Sequence, residues 1–201
     1  MSEAKDTPFE YRGIHHLALV TSDMQRTVDF YTNVLGMKVV KGFDLAEGYG
    51  QHFFFDVGNG NLLAFFWFRD APRGDRGIVS ANALPRSGQS ISSAHGSMNH
   101  VALLVAADRL EEYRERLIAH GINVSEIVNH ADVEPPPGGE RVTLTEDEHT
   151  WVRSIYFCDP DGITLELTAE LKEPSRTVIE PVDATGRKVG RRRPTVEDDS
   201  R

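Results

Sequence analysis

The chain has 201 residues, of which 39% are hydrophobic, with a formal net charge of −9 and a pI of about 5.3. That is enough apolar material for one ordinary domain or for two small modules sharing a core, and the acidic balance argues against nucleic acid and anionic membrane as partners. No run of 18 apolar residues offers a membrane span, the opening MSEAKDTPFE lacks the apolar centre of a signal peptide, and the lone Cys158 cannot close an intrachain disulfide, so a cytoplasmic protein is expected.

Taken in order, residues 1–12 read as an N-terminal extension. A short apolar strand follows, containing His16-x-Ala18-Leu19, and then a helix. Asp23 suits the N-cap of that helix, Val28, Tyr31 and Leu35 recur at helical spacing, and Gly36 suits its end. There is room for another strand at about 39–43. Residues 54–65, FFDVGNGNLLAF, read as strand, tight turn at Gly58-Asn59-Gly60, and strand. Residues 69–97 are rich in Gly, Arg, Ser and Asp. Their length fits a lid or binding loop as well as a plain linker.

The pattern is then written a second time. Residues 98–124 open with His100-x-Ala102-Leu103. A helix follows with Asp108 and Glu111 spaced as a capping box, Leu110, Tyr113 and Leu117 on one face, and Gly121 at its end. Room for a further strand lies at about 122–128. Residues 129–149 include an irregular Pro135-Pro136-Pro137-Gly138-Gly139. Residues 156–167, YFCDPDGITLEL, align without a gap on 54–65 at an offset of 102. From about Lys172 the apolar periodicity fades and a basic run, Arg191-Arg192-Arg193, appears. The expected organisation is a first module over 13–68, a connecting loop over 69–97, a second module over 98–170, and a charged, disordered tail over 171–201.

Strand alternation puts His16, Ala18 and Val20 on one face and, by the repeat, His100, Ala102 and Leu104 on the matching face. Glu166 is a carboxylate set between Leu165 and Leu167, costly to bury unless paired or bound to metal. His16 has a repeat partner in His100, whereas His15 stands opposite Asn99. Two histidines at equivalent positions and one glutamate on a neighbouring strand make a 2-His-1-carboxylate set, which leaves metal positions open for substrate or oxygen. Phe66 and Phe68, on the face of Leu62 and Ala64, suit an aromatic wall for a planar or hydrophobic substrate.

The marks His16-x-Ala-Leu, Asp29-Phe30-Tyr31 with Leu35-Gly36, and Tyr156-Phe157-x-Asp159-Pro160-Asp161-Gly162 ending at Glu166 resemble the vicinal-oxygen-chelate superfamily. That group includes glyoxalase I, bleomycin-resistance proteins, fosfomycin-resistance transferases and extradiol dioxygenases. The resemblance covers about residues 13–168. It implies an α+β fold of two tandem βαββ modules forming a half-open, barrel-like sheet around one divalent metal held by His16, His100 and Glu166. Glyoxalase I places a glutamate where this chain has Ala64, which removes its usual carboxylate unless His52 or His149 acts as base. The extradiol signature is closer: His149, five residues, Ile155, Tyr156, Asp159-Pro160, Gly162 and Glu166, with Asp147 the departing position. By that resemblance Tyr156 and His149 are the catalytic candidates, and Fe²⁺ is favoured over Mn²⁺, Zn²⁺ or Ni²⁺.

The acid–base histidine of such dioxygenases aligns with Asn61, which can hydrogen-bond substrate but cannot move a proton; His52 or His95 would have to stand in. The fosfomycin transferases carry a threonine at the position of Ala18. The leading expectation is therefore an Fe²⁺-dependent extradiol-type dioxygenase acting on a small aromatic or vicinal dioxygen substrate. The alternatives are a metal-dependent lyase or isomerase working through an enediolate, and a non-catalytic small-molecule binding or resistance protein. Several families of the superfamily pair or swap modules between chains, so a homodimer is expected. The sequence leaves open whether the two modules close on each other or on a partner.

Overall fold

The structure, a computed structural model, describes residues 12–72, 98–132, 142–174 and 181–188. His95, most of the expected connecting loop, the Pro135–Gly139 stretch and the Arg191–Arg193 run lie outside the described residues.

The first module is β1 (His16–Val20), α1 (Met24–Asp29), β2 (Lys38–Asp44), β3 (Gly50–Asp56) and β4 (Leu62–Phe68). Asp23 caps α1 from an extended backbone, its carboxylate accepting the Arg26 N–H at 3.0 Å. The helix runs on into a π-helical turn, Phe30–Val34, and stops at Gly36, whose φ of +74° suits a residue without Cβ. The second module repeats the plan: β5 (Val101–Leu104), α2 (Leu110–Ala119), β6 (Val128–Ala131), the short β7 (Val142–Thr143), β8 (Thr150–Cys158) and β9 (Thr164–Glu170). Each sheet pairs its opening strand in parallel with its closing one, in the orders β1-β4-β3-β2 and β5-β9-β8-β6-β7.

Two local expectations shift. The strand sought near 122–128 falls at Val128–Ala131, because Ile122 and Val124 are drawn into the core after the helix end. The Asp108–Glu111 capping box does not form. A 3₁₀ turn over Ala107–Arg109 takes up Asp108, and α2 begins without a side-chain cap.

The repeat holds at the level of register. Phe54 stands opposite Ala64, Tyr156 opposite Glu166, Ala18 beside Ala64 and Ala102 beside Glu166. One core cluster draws on both modules: Met24, Phe30, Tyr31, Phe55, Leu63 and Phe65 from the first, and Leu110, Leu117, Ile155, Phe157, Leu165 and Leu167 from the second. The strand residues in that cluster all alternate with the His16 and Glu166 faces. The modules therefore pack through their helix-bearing sides, and the faces that carry the candidate site residues turn away from the shared core. Among the described residues the two sheets are not hydrogen-bonded to each other.

A polar latch crosses the same junction. Thr21 donates to Asp161 Oδ2 at 2.6 Å, Ser22 also donates to Asp161, and Arg26 Nη2 lies 2.9 Å from Asp161 Oδ1. Buried Tyr31 donates its hydroxyl to Asp159 Oδ2 at 3.2 Å. No described helix is long and apolar enough to cross a membrane.

Candidate metal and substrate face

The second module's outward face is built by alternation on β8 and β9. Tyr156 pairs with Glu166 and Ser154 with Thr168, so these four side chains rise from the same side. His100 sits one residue before β5, with its Nε2 2.8 Å from Glu166 Oε2 and its Nδ1 2.7 Å from Asn99 Oδ1. Asn99 thereby fixes the ring, with Nδ1–H as donor to the amide oxygen and Nε2 aimed at the carboxylate.

Glu166 is only 6% exposed. Burial, the largest influence, pushes its carboxyl up, but hydrogen bonds from His100, Ser154 and Tyr156 together hold it below its ordinary value. The hydrogen bond to Glu166 raises His100 in turn, against the opposing effect of burial. Tyr156 is pushed well up by burial and by the charge of Glu166, so its phenol stays a proton donor at neutral pH. Its ring meets His100 edge-on at 5.8 Å.

The donor chemistry fits a divalent cation at this point. A histidine nitrogen with its other nitrogen anchored, facing a buried carboxylate, is an arrangement that a proton now bridges and a metal can bridge.

His16 lies elsewhere. It projects from β1 on the first module's outward face and is exposed, with Nδ1 2.8 Å from His15 Nδ1 and its ring edge-on to Phe54 at 5.6 Å. Among the described residues no three His, Cys, Asp or Glu side chains come close enough to hold one metal ion. The structure brings His100 and Glu166 together and does not bring His16 to them within one chain. The physical reason is the packing of the modules through their helix sides.

The same first-module face carries an aromatic ladder. Phe66 stacks on His52 at 3.5 Å and on Phe68 at 5.2 Å, and register places both phenylalanines on the side of His16. His52 is buried, and its Nδ1 is committed to the Phe65 carbonyl at 3.1 Å. Asn61 spends its amide on the hairpin, donating to the Gly58 carbonyl at 3.3 Å, so it serves the turn. His149 precedes β8. It is ordered by Asp147, which accepts its N–H at 2.9 Å, and its ring lies 3.7 Å from Glu148, away from the Glu166 cluster.

The sequence reading missed one residue, His130. It lies on β6 opposite Val152, which puts it on the Tyr156 face, with Nε2 3.4 Å from the Tyr156 hydroxyl. Alternation would have found it had a strand been placed at 128–131; the Pro-rich stretch that follows hid the strand.

With this geometry in place, comparison with known proteins is decisive about family. The profile of the Glyoxalase/Bleomycin resistance protein/Dioxygenase superfamily matches residues 13–167. The chain belongs to this superfamily. It is 28% identical over 156 residues to the metallothiol transferase FosB of Lysinibacillus sphaericus (strain C3-41), covering 77% of this chain and 80% of that protein. It is 32% identical over 143 residues to MhqA of Bacillus subtilis (strain 168), whose description as a ring-cleaving dioxygenase is itself provisional. There the match covers 68% of this chain but 40% of MhqA. The solved structure of SMU.1112c superposes with a TM-score of 0.54 at 26% identity, covering 79% of this chain and 99% of that one. Fold and family thus agree with the resemblance read from the motifs.

Proposed function

We propose that this superfamily protein is a divalent-metal-dependent enzyme acting on a small molecule with two adjacent oxygens, and specifically an Fe²⁺-dependent extradiol-type dioxygenase. The observation that carries the reading is the His100–Glu166 pair, held beneath the protonated hydroxyl of Tyr156 on an open face. His100, Glu166 and His16 would hold the metal, with His16 supplied by a second copy of the chain. Two features support that assembly: His16, Val20 and Phe43 of the first-module face are exposed, and β1 and β5 are both edge strands. The metal would supply Lewis acidity to the paired oxygens and, as Fe²⁺, a redox partner for O₂.

The chain's own residues do the rest. With Glu166 taken up as a metal ligand, the Tyr156 hydroxyl would turn from it to donate to a substrate oxygen, and Phe54, Phe66 and Phe68 from the partner's face give a planar ring an apolar wall. Burial of Glu166 keeps water from competing for its oxygens. Asn61, placed in a turn, is not needed for this reading.

A second reading is favoured by one observation. FosB is matched over 80% of its length, against 40% for MhqA, which supports group transfer from a thiol to an electrophilic small molecule at the same metal. Against it stands Ala18, where the fosfomycin transferases resembled here carry a threonine.

Anaerobic loading with Fe²⁺ followed by a panel of mono- and bicyclic catechols in an oxygen electrode separates the two. Oxygen uptake with a yellow ring-fission product is expected. Absence of uptake by verified Fe²⁺-loaded protein moves the reading to thiol transfer or to enediolate chemistry. The shared site has its own test. His16→Ala and Glu166→Ala are each expected to lose bound metal, but an unfolded and refolded mixture of the two should regain about half of one site per dimer on average, because mixed dimers contain one intact ligand set. No recovery, in protein that light scattering shows to be dimeric, would place all three ligands within a single chain.

A further inference from the structure

The proposed chemistry needs a group that accepts a proton when the second hydroxyl of a vicinal diol ionises, and the usual candidates are spent. Ala64 has no titratable group, and Asn61 is tied into its turn. His52 is buried, with its ring covered by Phe66 at 3.5 Å and Phe54 at 4.2 Å, so substrate does not reach it. His149 faces Glu148. Tyr156 holds its own proton. The Nε2 of His100 is engaged with Glu166.

His130 is left. Its β6 position opposite Val152 sets it on the face of Tyr156, Ser154 and Glu166, and its Nε2 stands 3.4 Å from the Tyr156 hydroxyl. We propose that His130 is the proton acceptor of this site, taking the proton of the substrate's second hydroxyl while Tyr156 holds the oxygen that is left. The inference rests on the vicinal-dioxygen reading above. In the step, the substrate O–H bond breaks and its electron pair stays on oxygen. An N–H bond forms at His130 Nε2, and the imidazolium later returns that proton to product or solvent.

The surroundings suit this role. Burial lowers the ring's proton affinity, so it is neutral and ready to accept at pH 7. Glu166 favours the charged form and His100 opposes it. Among the described residues, Tyr156, Glu166 and His100 are the titratable groups that act on it.

The test uses the full-length chain loaded with redox-inert Zn²⁺, so that nothing turns over, and 4-nitrocatechol, whose visible spectrum separates its singly and doubly ionised forms. Wild type is expected to bind the doubly ionised probe at pH 7. His130→Gln should bind it singly ionised, with the second ionisation at least tenfold less favourable, that is, one pH unit higher. A second measurement needs no variant: long-range ¹H–¹⁵N correlation on the wild type should show His130 passing from neutral imidazole to imidazolium when the probe is added. Double ionisation unchanged in His130→Gln, or a His130 ring that stays neutral with the probe bound, overturns the assignment and leaves the substrate reading intact. Failure of metal-loaded wild type to bind the probe at all sinks the substrate reading, and the role of His130 with it.

Discussion

Asp159 links the turn motif to the junction of the two modules, and its titration is open to direct measurement. It is 5% exposed. Its Oδ1 accepts the N–H groups of Asp161 at 2.9 Å and Ile163 at 2.8 Å, and its Oδ2 accepts the Tyr31 hydroxyl at 3.2 Å. Burial dominates those hydrogen bonds and, with some help from the neighbouring charge of Asp161, pushes the carboxyl up to about 6 from 3.8. Between those two values the folded chain binds the proton that the unfolded chain has released. The resulting stabilisation is fully present below pH 3.8 and is lost as pH rises through 6. The whole difference is worth about 3 kcal/mol, of which roughly 1 kcal/mol falls between pH 7 and pH 5.

Asp159→Asn keeps an oxygen for the two backbone donors and removes the titration. Urea unfolding followed by Trp67 and Trp151 fluorescence, at pH 7, 6 and 5, should therefore show wild type gaining roughly 1 kcal/mol on the variant as the solution is acidified. Asp161, Glu166 and Glu111, whose carboxyls are held low, act in the opposite sense but are common to both proteins and titrate at lower pH. A wild-type advantage that does not change from pH 7 to pH 5 would refute the picture of Asp159 as a buried carboxylate ionised at a cost.

Three further outcomes test the architecture. Tyr31→Phe leaves Asp159 Oδ2 without its donor and should cost about 1–3 kcal/mol by urea unfolding at pH 7. Phe157→Ala, at a fully buried position in the shared core, should cost about 3–5 kcal/mol and broaden or split the transition if the modules then separate. Arg26→Gln removes a cation that is half exposed and should cost under about 1 kcal/mol in the same assay, less still in high salt, because solvent screens its pair with Asp161.

Local and periodic features were legible in the residues alone. The offset of 102 between residues 54–65 and 156–167 foretold that Tyr156 stands to Glu166 as Phe54 stands to Ala64, and the ladder register is the same in both hairpins. Asp23, Gly36 and Gly121 marked helix ends because capping and left-handed backbone are properties of a few adjacent residues. Alternation separated His16 from Leu17, and Glu166 from Leu165 and Leu167, since strand side chains repeat every second residue whatever the strand packs against.

Which side of each module meets the other is set by packing between residues far apart in the chain. Both sides of these sheets carry apolar residues, so the choice between the helix-bearing faces and the histidine-bearing faces depends on the summed burial of Tyr31, Phe55, Phe65, Leu110, Phe157 and Leu165 across the junction. That choice separates His16 from His100 and Glu166 within one chain. It could not be read from the repeat, because a repeat fixes each module's faces and is silent on how two modules dock. The position of His130 was hidden for a related reason. Its four-residue strand is held by pairing with β8, a contact made 22 residues away from His130 in sequence at Val152, and too short to announce itself by its own pattern.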